Sequence, residues 1–229
     1  MKRLPLVALL GSLAPILGVL ACGGGTGVTT SAALPMQDHW DAGNALQHAM
    51  ARGDLEAARE AAERIADVGD IPGLTWDAGP YLRDMRANAE QIQKATSFRE
   101  AAEATGSMGA ACGRCHARAE AGPHPEGTTT APSAQDQTQS HMIQHAWAVD
   151  RMWEGLVVPS TDRWRAGARL LSEQSVAAHG VSNEVALISA RVHEMGRQAL
   201  DDDTPAERGT RFGQLLNDCA GCHAELGVW

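Results

Sequence analysis

The stretch SFREAAEATGSMGAACGRCH, residues 97–116, has a counterpart in TPAERGTRFGQLLNDCAGCH, residues 204–223. Each opens with a hydroxyl residue followed three places later by a glutamate, Ser97 with Glu100 and Thr204 with Glu207. In this pairing hydroxyl and carboxylate satisfy the orphan amides of a helix's first turn. Pro205 sits where a helix tolerates proline. Each stretch then runs fifteen residues from its cap to a first cysteine, Cys112 or Cys219. Phe98, Ala101, Thr105, Met108 and Cys112 recur at spacings of three and four, the pattern of a helix with one buried stripe. Two similar helices, each ending in C-x-x-C-H, are predicted.

The resemblance extends upstream. Met36, His39, Gly43, Leu46 and Met50 find Met142, His145, Val149, Met152 and Leu156 at an offset of 106. Leu82, Met85, Ala89 and Ile92 find Val185, Ile188, Val192 and Met195 at an offset of 103, which implies a small deletion between helices of the second half. Another stripe runs through Leu55, Ala58, Ala62 and Ile65. Strand signals such as alternating β-branched runs are missing, so the class is all-α. Residues 36–119 and 141–229 read as two copies of one unit, each an antiparallel bundle of four helices joined by short loops. Residues 120–140, rich in Pro, Gly, Thr and Ser, read as a linker. Units this small have little core of their own and gain from a large attached apolar group.

The first residues predict export. Lys2 and Arg3 precede an apolar run from Leu4 to Leu20, interrupted by Gly11, Pro15 and Gly18, which suits a cleaved signal better than a membrane span. Val19-Leu20-Ala21-Cys22 resembles a bacterial lipobox, which implies removal of residues 1–21 and a lipid on Cys22. An ordinary signal peptide with an incidental cysteine is the plainer alternative. Residues 22–35, glycine-rich at Gly23 to Gly25, read as a flexible tether. Loss of Lys2 and Arg3 takes the formal charge from −9 to −11. No basic footprint for nucleic acid remains, and a basic protein partner suits such a chain better than a phosphate backbone.

Cys112-Gly113-Arg114-Cys115-His116 and Cys219-Ala220-Gly221-Cys222-His223 match the attachment signature of c-type haem. Two thiols one helical turn apart suit the two vinyl groups of one porphyrin, and the adjacent imidazole suits its iron. The expected cofactors are therefore two covalent haems, with His116 and His223 as proximal ligands. Zinc held by four cysteines gives no reason for a histidine after each pair, and a thioredoxin-like site needs a strand before the motif. A plain disulfide is the remaining alternative.

A C-x-x-C-H on the last of four helices resembles the class II cytochromes c, the cytochrome c prime and c556 group. The resemblance covers each half, from about Met36 to Arg118 and from about Met142 onward. It implies a haem between the last helix and the first, whose distal residue either ligates iron as Met or leaves it five-coordinate. Two units in tandem and shorter middle loops depart from the family's usual form. Family members often dimerise through their first two helices, a surface the second unit can occupy instead.

Ala224 to Trp229 contains neither Met nor His, so a distal ligand for the second site is expected from upstream, from a partner, or not at all. Each first helix offers two ligands one turn apart, Met36 with His39 and Met142 with His145. Family precedent favours Met36 and Met142. Burial favours His39 and His145, because a methionine in a core stripe is ordinary filling whereas an imidazole there is costly unless its nitrogen is used. His48, His124, His141, His179 and His193 are expected to be solvated or locally bonded, and Trp40, Trp147, Trp153 and Trp164 to pack in cores.

These readings predict a lipid-anchored dihaem electron carrier facing the periplasm of a bacterial cell envelope and serving redox proteins there. Binding of CO or NO at a five-coordinate iron is the alternative. No dedicated set of catalytic acids and bases stands out, so an enzyme such as a dihaem peroxidase is not expected.

Overall fold

The structure, a computed structural model, describes residues 33–69, 71–72, 74, 76–125, 130–132, 138–173 and 182–227. The signal segment, Cys22 and His179 lie outside the described residues, as does the side chain of His141. Eight helices and no strand occur among them: α1 (Ala33–Arg52), α2 (Leu55–Ala66), α3 (Gly79–Lys94), α4 (Phe98–Ala119), α5 (Thr138–Val157), α6 (Thr161–Glu173), α7 (Asn183–Ala199) and α8 (Pro205–Leu226). The all-α reading holds. The first helix of each half starts slightly early, α1 inside the expected tether and α5 inside the expected linker.

Both capping boxes form as the sequence predicts. Glu100 accepts from the Ser97 amide at 3.2 Å while Ser97 Oγ accepts from the Glu100 amide at 3.2 Å. Thr204 and Glu207 repeat this at 2.9 and 3.2 Å. Hydrogen bonds to the ionised carboxylates hold both glutamates below their usual range.

Each helix packs on the next, α1 on α2 through to α3 on α4, and α5 on α6 through to α7 on α8. The most extensive packing joins the halves, α4 against α8. Glycines explain it. A Cβ on Gly106 would stand 2.0 Å from the Gly209 carbonyl oxygen, and one on Gly213 would stand 2.8 Å from that of Ala102. Gly209 and Gly213 are the equivalents of Ala102 and Gly106, 107 residues on. The contact is therefore reciprocal, like that between subunits related by a two-fold axis.

Around this crossing the first helices pack across the halves, α1 on α8 and α5 on α4, whereas α1 touches α4 only sparsely. Leu46 and Met50 of α1, Met152 and Leu156 of α5, and Phe212, Leu215 and Leu216 of α8 join one continuous core. The sparse contact between α1 and α4 leaves a cleft there, beside the first cysteine motif.

Candidate functional site

Helical spacing puts Cys112, Cys115 and His116 on one face of α4, lining a cleft whose opposite wall is Met36 and His39 of α1. Leu82 and Met85 of α3 floor it. Trp153 and Val157 of α5, from the other half, close its side. A second cleft gathers Cys219, Cys222 and His223 of α8 opposite Met142 and His145 of α5. Ile188 and Val192 of α7 line it too, and Gln47, His48, Ala51 and Arg52 of α1 supply the foreign wall. Gln47 and Ala51 are the equivalents of Trp153 and Val157.

Both expected ligand sets are thus brought together. Within the first, Nδ1 of His116 stands 2.7 Å from the Val157 carbonyl oxygen. A carbonyl only accepts, so the proton sits on Nδ1 and Nε2 keeps the ring's lone pair. Burial lowers the His116 pKa, and that hydrogen bond opposes the shift. Across the cleft, His39 Nε2 is buried with no hydrogen-bond partner. Desolvation, with smaller contributions from His116 and Arg86, lowers His39 to about 4, so its imidazole is neutral at pH 7. Arg86 itself is anchored, donating to the Val68 carbonyl at 3.0 and 2.6 Å.

The four cysteines of the two motifs are free thiols. Desolvation, with the neighbouring thiol Cys115 adding to it, pushes Cys112 up to about 12. Cys219 is likewise pushed up to about 12 by desolvation, then by Asp218 and Cys222. A reactive dithiol has a depressed value, the opposite direction to these shifts. Among the described residues no three His, Cys, Asp or Glu side chains converge on a metal-sized point.

No family model, curated protein or solved structure matches the chain. The residues themselves therefore carry the reading. Among the described residues no helix is long and apolar enough to cross a membrane.

A haem must fit both donors and space. The donors suit it in both clefts. The second cleft measures about 490 Å³. The first measures about 40 Å³ between Cys112 and His39 and adjoins a space of about 420 Å³ that Met36, Cys115 and His116 also line.

The remaining histidines fall outside this chemistry. His48 pairs with Asp150 at 3.0 Å across the halves, and His124 is exposed. His193 is half-buried on α7, and its Nδ1 is buried with no hydrogen-bond partner. Trp164 is wholly buried and donates to the Ala199 carbonyl at 2.7 Å, a core role. Trp147 lies under the Arg151 guanidinium at 5.7 Å. Trp153 belongs to the core and Trp40 packs against it, and both also line the first cleft. The cross-half contributions of Val157, Trp153 and Gln47 have no counterpart in the sequence reading.

Proposed function

We propose that the chain is a lipid-anchored dihaem c-type cytochrome built from two four-helix units, carrying electrons between redox proteins at a bacterial cell-envelope membrane. One observation carries this reading. The neutral imidazole of His39, its Nε2 buried and without a hydrogen-bond partner, shares a cleft with the two thiols and the imidazole of the first C-x-x-C-H motif. An orphaned buried nitrogen costs about 1–3 kcal/mol unless something uses it, and an iron does. The same residue types recur around the second motif.

In this reading Cys112 and Cys115 hold one haem and Cys219 and Cys222 the other. His116 and His223 are the proximal ligands, with His39 and His145 distal in preference to Met36 and Met142. Covalently bound haem supplies a one-electron couple. The chain's own residues fix the imidazoles, keep His39 unprotonated and shield the first cleft with Trp40 and Trp153.

The test is the visible spectrum of the purified, reduced protein before and after carbon monoxide, repeated for Cys112→Ser/Cys115→Ser and Cys219→Ser/Cys222→Ser. Covalent haem that survives denaturation, with half lost in each double variant, is expected. Absence of covalent haem sinks the reading. A spectrum unmoved by carbon monoxide supports electron transfer alone, and a shift confined to the second site adds gas binding there.

A further inference from the structure

The two motifs differ between their cysteines. The first has Gly113, and a Cβ there would stand 2.3 Å from the Leu156 carbonyl oxygen and 3.9 Å from that of Val157. The end of α5 thus closes on α4 at Gly113, where α4 has no side chain. Val157 is the last residue of α5, and terminal carbonyls lack intrahelical partners. The Val158 and Ser160 amides are spent on Glu154 and Gly155. The Val157 carbonyl is left to His116 Nδ1, at 2.7 Å.

The second motif carries Ala220 in the equivalent place, itself buried. The equivalent helix end, that of α1, repeats one closing bond, Asp54 donating to the Ala49 carbonyl at 2.9 Å as Ser160 does to Gly155, and adds another from Gly53 to the Met50 carbonyl at 3.1 Å, where α5 is followed by Pro159. His223 makes no hydrogen bond among the described residues.

We propose that Gly113 is a positioning residue: by letting α5 approach α4 it brings the Val157 carbonyl onto His116, so the first motif's histidine is a stronger, fixed donor than His223. The functional consequence rests on the haem reading above. A hydrogen bond to the far nitrogen makes a ligating imidazole more basic and favours the oxidised metal. The residue between the cysteines, neutral in the haem signature itself, then sets the two sites apart through a helix from the opposite half.

The experiment uses the full-length haem-loaded protein, Gly113→Ala and Ala220→Gly, with redox titration and NMR exchange of the imidazole Nδ1–H protons in the reduced state. In the wild type the His116 proton is expected to exchange about tenfold more slowly than that of His223, the scale of one net hydrogen bond. In Gly113→Ala that protection is lost and one potential moves upward while the other stays. Ala220→Gly leaves the His116 signal unchanged. Slow exchange and two unchanged potentials in a folded Gly113→Ala protein overturn the proposal. If that variant does not fold, equal exchange of the two protons in the wild type overturns it, and unequal exchange supports it. If the purified chain carries no covalent haem, the haem reading falls, and nitrogen chemical shifts of the haem-free chain still decide. A fixed Nδ1–H tautomer at His116 beside mixed tautomers at His223 supports the proposal, and like tautomers overturn it.

Discussion

Where the first cleft has Trp153, the second has Gln47; where the first has Trp40, the second has Ala146. The Trp153 indole donates to Asn44 at 3.0 Å and its ring lies 5.6 Å from that of Phe212. Gln47, equally buried, leaves its carboxamide oxygen unsatisfied. The chain after α4 reverses at Glu120, in the left-handed conformation, and brings Pro123 over the first cleft. Arg163, from the other half, holds that strap by donating to the Pro125 carbonyl at 2.8 Å. Among the described residues, the lining of the second cleft includes none beyond His223. One backbone plan thus gives a strapped site walled by tryptophan and another walled by glutamine and alanine, and much of the difference lies in residues that each half lends the other.

The shared element is the place to break both clefts at once. Gly106→Leu drives a side chain into the Gly209 carbonyl and separates α4 from α8, with an expected loss of about 4 kcal/mol or more in denaturant titration. Both sites should fail together. Failure of only the first would mean the crossing does not support them equally.

A cleft-specific change comes next. Trp153→Ala is expected to cost about 3–4 kcal/mol, because it empties a packed site against Phe212 and strands Asn44. Gln47→Leu, which removes a buried unsatisfied amide, is expected to be neutral or slightly stabilising by thermal melting. Equal losses from the two substitutions would erase the contrast between the walls.

The smallest effect is one of pH, read at the first cleft. Burial holds His39 near 4 in the folded chain against 6.5 unfolded. Between those values the unfolded chain binds the proton that the folded one refuses, so stability falls as pH drops from 6.5 towards 4. His116, lowered by burial, acts in the same sense. The His39 contribution is at most about 3 kcal/mol. Melting of the haem-free chain across this range should show the slope, and His39→Gln should reduce it.

Local signals made much of this legible. Helix stripes, the two caps and the two C-x-x-C-H motifs depend on residues within a turn or two of one another, and they gave the helices and the clustering of Cys112, Cys115 and His116. The exchange of helices between halves was hidden, because a stripe read helix by helix shows that a face is buried without showing against what. A sign was present. Gly106, Gly109 and Gly113, with Gly209 and Gly213, recur at spacings of three and four inside helices that glycine weakens. Such a row means that something must come close. The Val157 contact offered no comparable signal, since a backbone carbonyl carries no residue identity.

The reciprocal crossing of α4 and α8 also bears on how such a molecule can change. In a dimer of identical chains every substitution appears twice, so a tryptophan that seals one pocket seals both. Here the two partners of the near-symmetric contact are encoded separately within one polypeptide. Each glycine of the crossing must keep its place for the sake of the other half, while the walls on either side are at liberty to drift apart. Symmetry is retained where the halves meet and surrendered where they differ in use.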